Sequence, residues 1–346
     1  MRELRKINGC LFAAPFLMCH FLPRFLLAAE PLSSPSTILE VPTRSFIATY
    51  GEAKAKEIGY NEFSFSPNGQ FLAITISQIA TGDPEQVWLF DTVNKKVRLA
   101  TEKIDQDYHK LGLNIREVTW ESPSKICILE NRWGSTVPSG ANLVKVHATM
   151  SSSEIEIFGG PDETRKEAMV LVSPGKHYQF EFDSNGPGDA RLVDLSKSPP
   201  QDLFVKSQPW YRLAKWTSDD RYVIFYQSHG HGSGSLLAAQ TTPSLSTFTI
   251  VADGGGDRLG FAISPDSTKI AFPGDGGIAI YDLASRKIRR TIPSALSIGR
   301  TLAWSSRGQI AYEADSCQLQ SNSKQAQISR DIRKEMRKVC IVDISD

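Results

Sequence analysis

Residues 263–292 read ISPDSTKIAFPGDGGIAIYDLASRKIRRTI. The stretch opens on Ser264-Pro265-Asp266 and continues as three short apolar runs separated by Gly-rich or charged breaks. Proline presets φ near the first corner of a type I turn and the aspartate bonds back to the backbone, so the opening predicts a tight turn. Residues 259–264 before it are apolar throughout, as an innermost strand covered on both faces should be. After it, 269–272, 278–283 and 287–292 predict three more strands. The last alternates apolar with charged residues, which suits an outer edge defended by basic side chains.

The turn recurs. Aligned on the apolar residue before it, the copies start at Phe65 (FSPNGQFLAI), Trp120 (WESPSKICIL), Val172 (VSPGKHYQF), Trp216 (WTSDDRYVIF), Ile263 (ISPDSTKIAF) and Trp304 (WSSRGQIAY). The intervals are 55, 52, 44, 47 and 41 residues. Four short strands per unit at a period of roughly 40–45 residues is the propeller pattern. The expectation is an all-β chain folded as a six-bladed β-propeller. The sixth unit has strands at 302–304, 309–312 and 338–343 and lacks a fourth. An open blade would leave an unpaired edge. The segment 39–50, with Arg44-Ser-Phe-Ile-Ala-Thr-Tyr50, is expected to close it beside 339–342, Phe46 and Ala48 alternating with Ile47.

Pro265-Asp266, Lys269-Ile-Ala-Phe272 and Ile280-Tyr-Asp-Leu283 resemble the WD40-like repeat of TolB-type β-propellers. The resemblance runs from 60 to 343 and is strongest in the first and fifth units. The family turn ends in Asp-Gly; here Asn68-Gly69 and Arg307-Gly308 keep the glycine, while Ser267 and Asp220 replace it. The resemblance implies a periplasmic envelope protein that acts as a non-catalytic, protein-binding scaffold. TolB carries a separate domain before its blades; none is expected before the blades here, and the expected role is accordingly outside the Tol system itself.

Residues 1–29 differ in character. Arg2, Arg5 and Lys6 precede an apolar stretch at 11–22, and a second one at 25–29 ends in Ala28-Ala29 before polar Glu30. Basic, apolar, small is the order of a secretory signal, with cleavage expected near Ala29. No uninterrupted apolar run reaches the 18 or so residues of a membrane span, so the mature chain should carry none. The expected organisation is a signal peptide at 1–29, an N-terminal segment with the closing strand at 30–59 and one propeller domain at 60–346. The expected location is the periplasm or the medium. The 346 residues carry a formal net charge of +1. Without the leader, 35 basic and 37 acidic side chains remain. Neither balance suits a nucleic-acid partner.

The leader also contains Cys10 and Cys19, leaving Cys127, Cys317 and Cys340. In an oxidising compartment three thiols suggest one disulfide and one free cysteine. Cys317 and Cys340 flank a polar insertion and are the expected pair; Cys127, within Ile126-Cys-Ile-Leu129, reads as a small core residue. In the insertion, about 318–337, Ile328, Ile332 and Met336 share one face of a short helix. Residues 324–338 hold six basic and two acidic residues. Arg330, Arg333, Lys334 and Arg337, with Ile328 and Ile332, form the candidate docking element for an acidic partner; the plainer reading is a solvated surface helix.

Catalytic motifs are missing. No Gly-x-Ser-x-Gly elbow of the prolyl oligopeptidase type occurs, and Gly230-His-Gly-Ser-Gly234 has the wrong order. His229 and His231 have no third donor nearby in sequence, and Asp253-Gly-Gly-Gly-Asp257 lacks the Lys and Ser of a phosphate loop. The expectation is no cofactor, no catalytic residue and no metal, with an unidentified protein partner. The alternative is a propeller enzyme of lactonase, lyase or cyclotransferase type, whose channel site would draw single residues from separate blades.

Overall fold

Each of the six turns opens a four-stranded antiparallel sheet. The computed structural model describes residues 39–42, 58–78, 85–101, 112–133, 143–158, 168–183, 188–208, 211–230, 233–255, 260–274, 277–293, 298–314, 317 and 337–344. All lie in one compact unit within residues 34–346. The inner strands of the six blades are Ile58–Phe65, Gly112–Ser122, Ala168–Val172, Tyr211–Trp216, Ala262–Ile263 and Ile298–Trp304. In the first five blades the strands follow one another outward in chain order.

The sixth blade breaks that order. Its outermost strand is Leu39–Glu40, beside Lys338–Asp343, so the chain's N-terminal side supplies the missing fourth strand. The register sets Leu39 opposite Ile341 and Glu40 opposite Cys340. The Val41 N–H donates to the Val339 carbonyl at 3.0 Å, and the Val41 side chain is fully buried. The pairing thus uses the start of the segment 39–50; Phe46, Ile47 and Ala48 lie outside the described residues.

The turns have a common chemistry. Directly after the aligned apolar residue stand Ser66, Ser173, Thr217, Ser264 and Ser305, all buried. Each hydroxyl oxygen accepts the N–H that opens the second strand, at 2.8–3.1 Å. Each carbonyl accepts the N–H three residues on, from Gly69, Lys176, Asp220, Ser267 or Gly308, all at φ between 60° and 75°. A short polar side chain that bonds its own backbone is what such a turn needs. At the far end of the third strand, Asp91, Asp194 and Asp282 accept the N–H groups of the next turn in the same way.

Alternation along the strands feeds two cores per sheet. In the first blade Leu72, Ile74, Trp88 and Phe90 pack on Ala303, Ala311, Val339 and Ile341 of the sixth, while Ala73, Val87 and Leu89 pack on Val118, Ile126 and Ile128 of the second. Comparable clusters join the third blade to the fourth, the fourth to the fifth and the fifth to the sixth. The large aromatic payload, Phe180, Phe182, Phe225, Tyr226 and Tyr312 among others, is spent in these junctions.

Candidate functional site

One junction differs. Among the described residues no hydrophobic cluster joins the second blade to the third. The aligned position before each turn explains part of this. Trp120 sends its indole N–H to Ser64 Oγ of the preceding blade at 3.1 Å, and Trp216 sends its own to the Leu171 carbonyl of the third blade at 2.9 Å. The third blade has Val172 there, which is too short to reach back. Val172 is 47% exposed and Val170, on the same side of the strand, 45% exposed, whereas Leu171 between them packs into the junction with the fourth blade.

The two faces at this junction are polar. On the third blade the Arg191 guanidinium donates to Asp202 at 2.7 Å and lies 3.4 Å from Glu181 Oε2. On the second blade Ile126 and Ile128 turn toward the first blade, fully buried, so the residue between them turns away. Cys127 is therefore half-buried on the opposite face rather than in the core the sequence suggested for it. Strand periodicity is the reason: neighbours in a strand point to opposite faces.

Cys127 has company. The register sets it directly opposite His147 on the third strand, Leu143–Ala148. The inner-strand ladder slips by one residue between Trp120 and Ser122, and Glu121 is the residue inserted. Its Oε1 lies 2.8 Å from His147 Nδ1, and its Oε2 3.3 Å from Lys125 Nζ. Partial burial raises the Glu121 pKa, but bonding to His147 and Lys125 outweighs this and holds the carboxyl below the usual carboxylate range. A donor atom from each of Glu121, Cys127 and His147 lies within 4.8 Å of the others. Sequence reasoning assigned no metal ligand and missed this trio, because the three residues come from three strands. One signal was present: five of the six turns have Ser or Thr directly after the aligned residue, and the second has Glu121.

The inner strands carry a second polar pair. Burial pushes the Lys215 ammonium of the fourth blade down, and Glu62 of the first blade opposes that shift. Lys215 Nζ also sits 5.9 Å from the centre of the Phe261 ring.

Cys317 and Cys340 are joined, with Cα atoms 5.4 Å apart, within the range a disulfide spans. Of the candidate docking residues, Arg337 donates to Glu313 Oε1 at 2.7 Å, and its carbonyl accepts the Tyr60 hydroxyl at 2.8 Å. Burial, then Glu313, pushes the Tyr60 phenol far above its usual pKa. Ile328, Arg330, Ile332, Arg333 and Lys334 lie outside the described residues. His229 Nε2 meets the Ser235 hydroxyl at 3.2 Å; His231 is outside the described residues. No described helix is long and apolar enough to cross a membrane.

No known family model matches the chain, and no curated protein does. Among solved structures it is similar to the β-propeller domain of Cps50 (Swd1) from Myceliophteria thermophila, at 11% identity and a TM-score of 0.44, covering 83% of this chain and 96% of that one. It is similar to TolB from Acinetobacter baumannii at 10% identity and a TM-score of 0.39, covering 66% of this chain and about half, 53%, of TolB. A chain of the mitotic checkpoint complex is similar at 13% identity and a TM-score of 0.37, covering 89% and 81%. The propeller assignment rests on the six sheets themselves.

Proposed function

We propose that this chain is an exported, non-catalytic β-propeller that binds another protein at the junction between its second and third blades. The observation that carries the reading is the exposed pair Val170 and Val172; the residues at the same two places in the other five blades are buried or half-buried. Apolar side chains rimmed by ion pairs such as Glu181–Arg191–Asp202 have the anatomy of an interface. Covering the valines releases apolar area from water at about 25 cal/mol per Å². The near-neutral charge supports a protein partner over nucleic acid. Export is supported by the basic, apolar, small order of residues 1–29 and by the pairing of Cys317 with Cys340.

The test is Val172→Trp, which gives the third blade the side chain that Trp120 and Trp216 provide in theirs. A photo-crosslinking residue at position 170 is placed in the wild-type and Val172→Trp chains, expressed in the native host. We expect an adduct with one protein in the exported fraction, lost in Val172→Trp, with a thermal midpoint equal to or above wild type. An undiminished adduct in Val172→Trp overturns the junction as the site. A cytosolic wild-type chain overturns export.

A further inference from the structure

The second blade departs from its own repeat at one place, and the departure gathers three side chains of metal-ligating chemistry. In five blades the residue after the aligned position is a buried Ser or Thr that closes the turn through its hydroxyl. In the second blade that place is taken by Glu121, the ladder slips there, and the carboxylate reaches His147. A turn needs only a hydroxyl, so the carboxylate calls for another explanation. Cys127 supplies the third donor, from the strand between those of Glu121 and His147.

We propose that Glu121, Cys127 and His147 form a binding site for a transition-metal ion of the zinc class. Thiolate, imidazole and carboxylate together select a borderline-soft divalent cation over calcium or magnesium, which take all-oxygen sites. The frame is rigid. Cys127 and His147 are cross-strand partners, whose Cβ atoms stand roughly 4.5–5.5 Å apart. The inserted Glu121 is aimed by the slipped ladder. The donors, within 4.8 Å of one another, need only small side-chain rotations to reach the roughly 3.4–3.7 Å spacing of ligands on one tetrahedral ion. On binding, the ion takes the place of the Glu121–His147 contact: the imidazole proton leaves Nδ1, ending on Nε2 by exchange with solvent, and Cys127 gives up its thiol proton to solvent. Glu121 then releases Lys125 or keeps it on its second oxygen. Three protein ligands leave a fourth position for water. Glu154 stands directly opposite His147 on the outer strand.

The site stands on geometry independent of the protein-binding reading. It is tested by titrating the intact, tag-free chain, carrying Cys10→Ser and Cys19→Ser so that the leader thiols do not compete, with cobalt(II), followed by zinc(II) competition. The expected result is one equivalent of cobalt with a thiolate-to-metal charge-transfer absorption that zinc abolishes. Cys127→Ser should lose the absorption, and His147→Gln and Glu121→Gln should each weaken binding by about tenfold or more. Melting of the metal-free variants shows that they are folded. No absorption in the wild-type chain, one that persists in Cys127→Ser, or affinity unchanged in His147→Gln overturns the site.

Discussion

Asp220 shows what a single position contributes when it departs from its motif. A glycine there would adopt φ = 61° freely; an aspartate adopts it at a cost of about 1 kcal/mol. In return its carboxylate reaches the preceding blade, accepting Ser173 Oγ–H at 3.0 Å and the Gly175 N–H at 2.9 Å. Gly175 is required in turn, because a Cβ there would lie 2.3 Å from Asp220 Oδ2. Ser267 repeats the device in the fifth blade, its hydroxyl 2.6 Å from that of Ser218. Hydrogen bonds to a buried charged group contribute about 1.5–3 kcal/mol. Asp220→Ala should therefore lower stability by roughly 2–3 kcal/mol, and Asp220→Gly by about 1 kcal/mol less than that, since it regains the backbone freedom. Chemical denaturation of the three proteins checks the order. A glycine variant more stable than wild type by about 1 kcal/mol would mean the strut contributes nothing.

At the scale of the element, the hairpin between third and fourth strands is pinned by a carboxylate. The Ser285 hydroxyl and N–H donate to Asp282 at 2.5 and 2.7 Å, and those of Ser196 to Asp194 at 2.5 and 2.9 Å. These bonds, the serine hydroxyl foremost, hold both carboxyls below the ordinary aspartate range. An unfolded aspartate titrates near 3.9. A folded value below that stabilises the native state fully above about pH 4, and the contribution is lost as pH falls through the folded value. Urea midpoints should thus be level from pH 6 to about pH 4.5 and fall at lower pH. Ser285→Ala should shallow that fall; a midpoint that rises on acidification contradicts the account.

For the whole molecule, the decisive contact is the return of the N-terminal side to the sixth blade. Val41 packs in the cluster shared by the first and sixth blades, with Trp88, Phe90 and Ile341. Thr301 also donates to the Tyr60 carbonyl at 3.0 Å, and Ser306 to that of Pro67 at 2.7 Å. Val41→Ala should cost roughly 1–3 kcal/mol and do so in a single transition, since the buried site joins two blades. Deleting residues 30–42 should expose the strand Lys338–Asp343 and lower the midpoint of the whole domain. Thermal melting of both variants measures this; a truncated chain that melts as the full one does would show that these residues latch nothing.

The blade count, the turns and the outward strand order were legible in the sequence because they depend on local physics. Period-two alternation, Ser-Pro turns and a repeat near 45 residues need no knowledge of distant neighbours. The sequence also indicated that the sixth unit needed a strand from the N-terminal side, by counting edges. It assigned that strand to the segment 39–50, and the observed pair lies at the start of that segment, Leu39 opposite Ile341; the register itself depends on the partner's backbone and side chains and was not legible from the strand alone. Val172 was aligned correctly, but that a valine there leaves a junction uncovered depends on how far Trp120 and Trp216 reach in theirs. Glu121, Cys127 and His147 were invisible as a group for the same reason. They are separated by 6 and 20 residues in the chain and meet only because three strands pair in one register with one slip. The sequence alone determined the repeating unit; tertiary pairing decided which side chains its irregularities bring together.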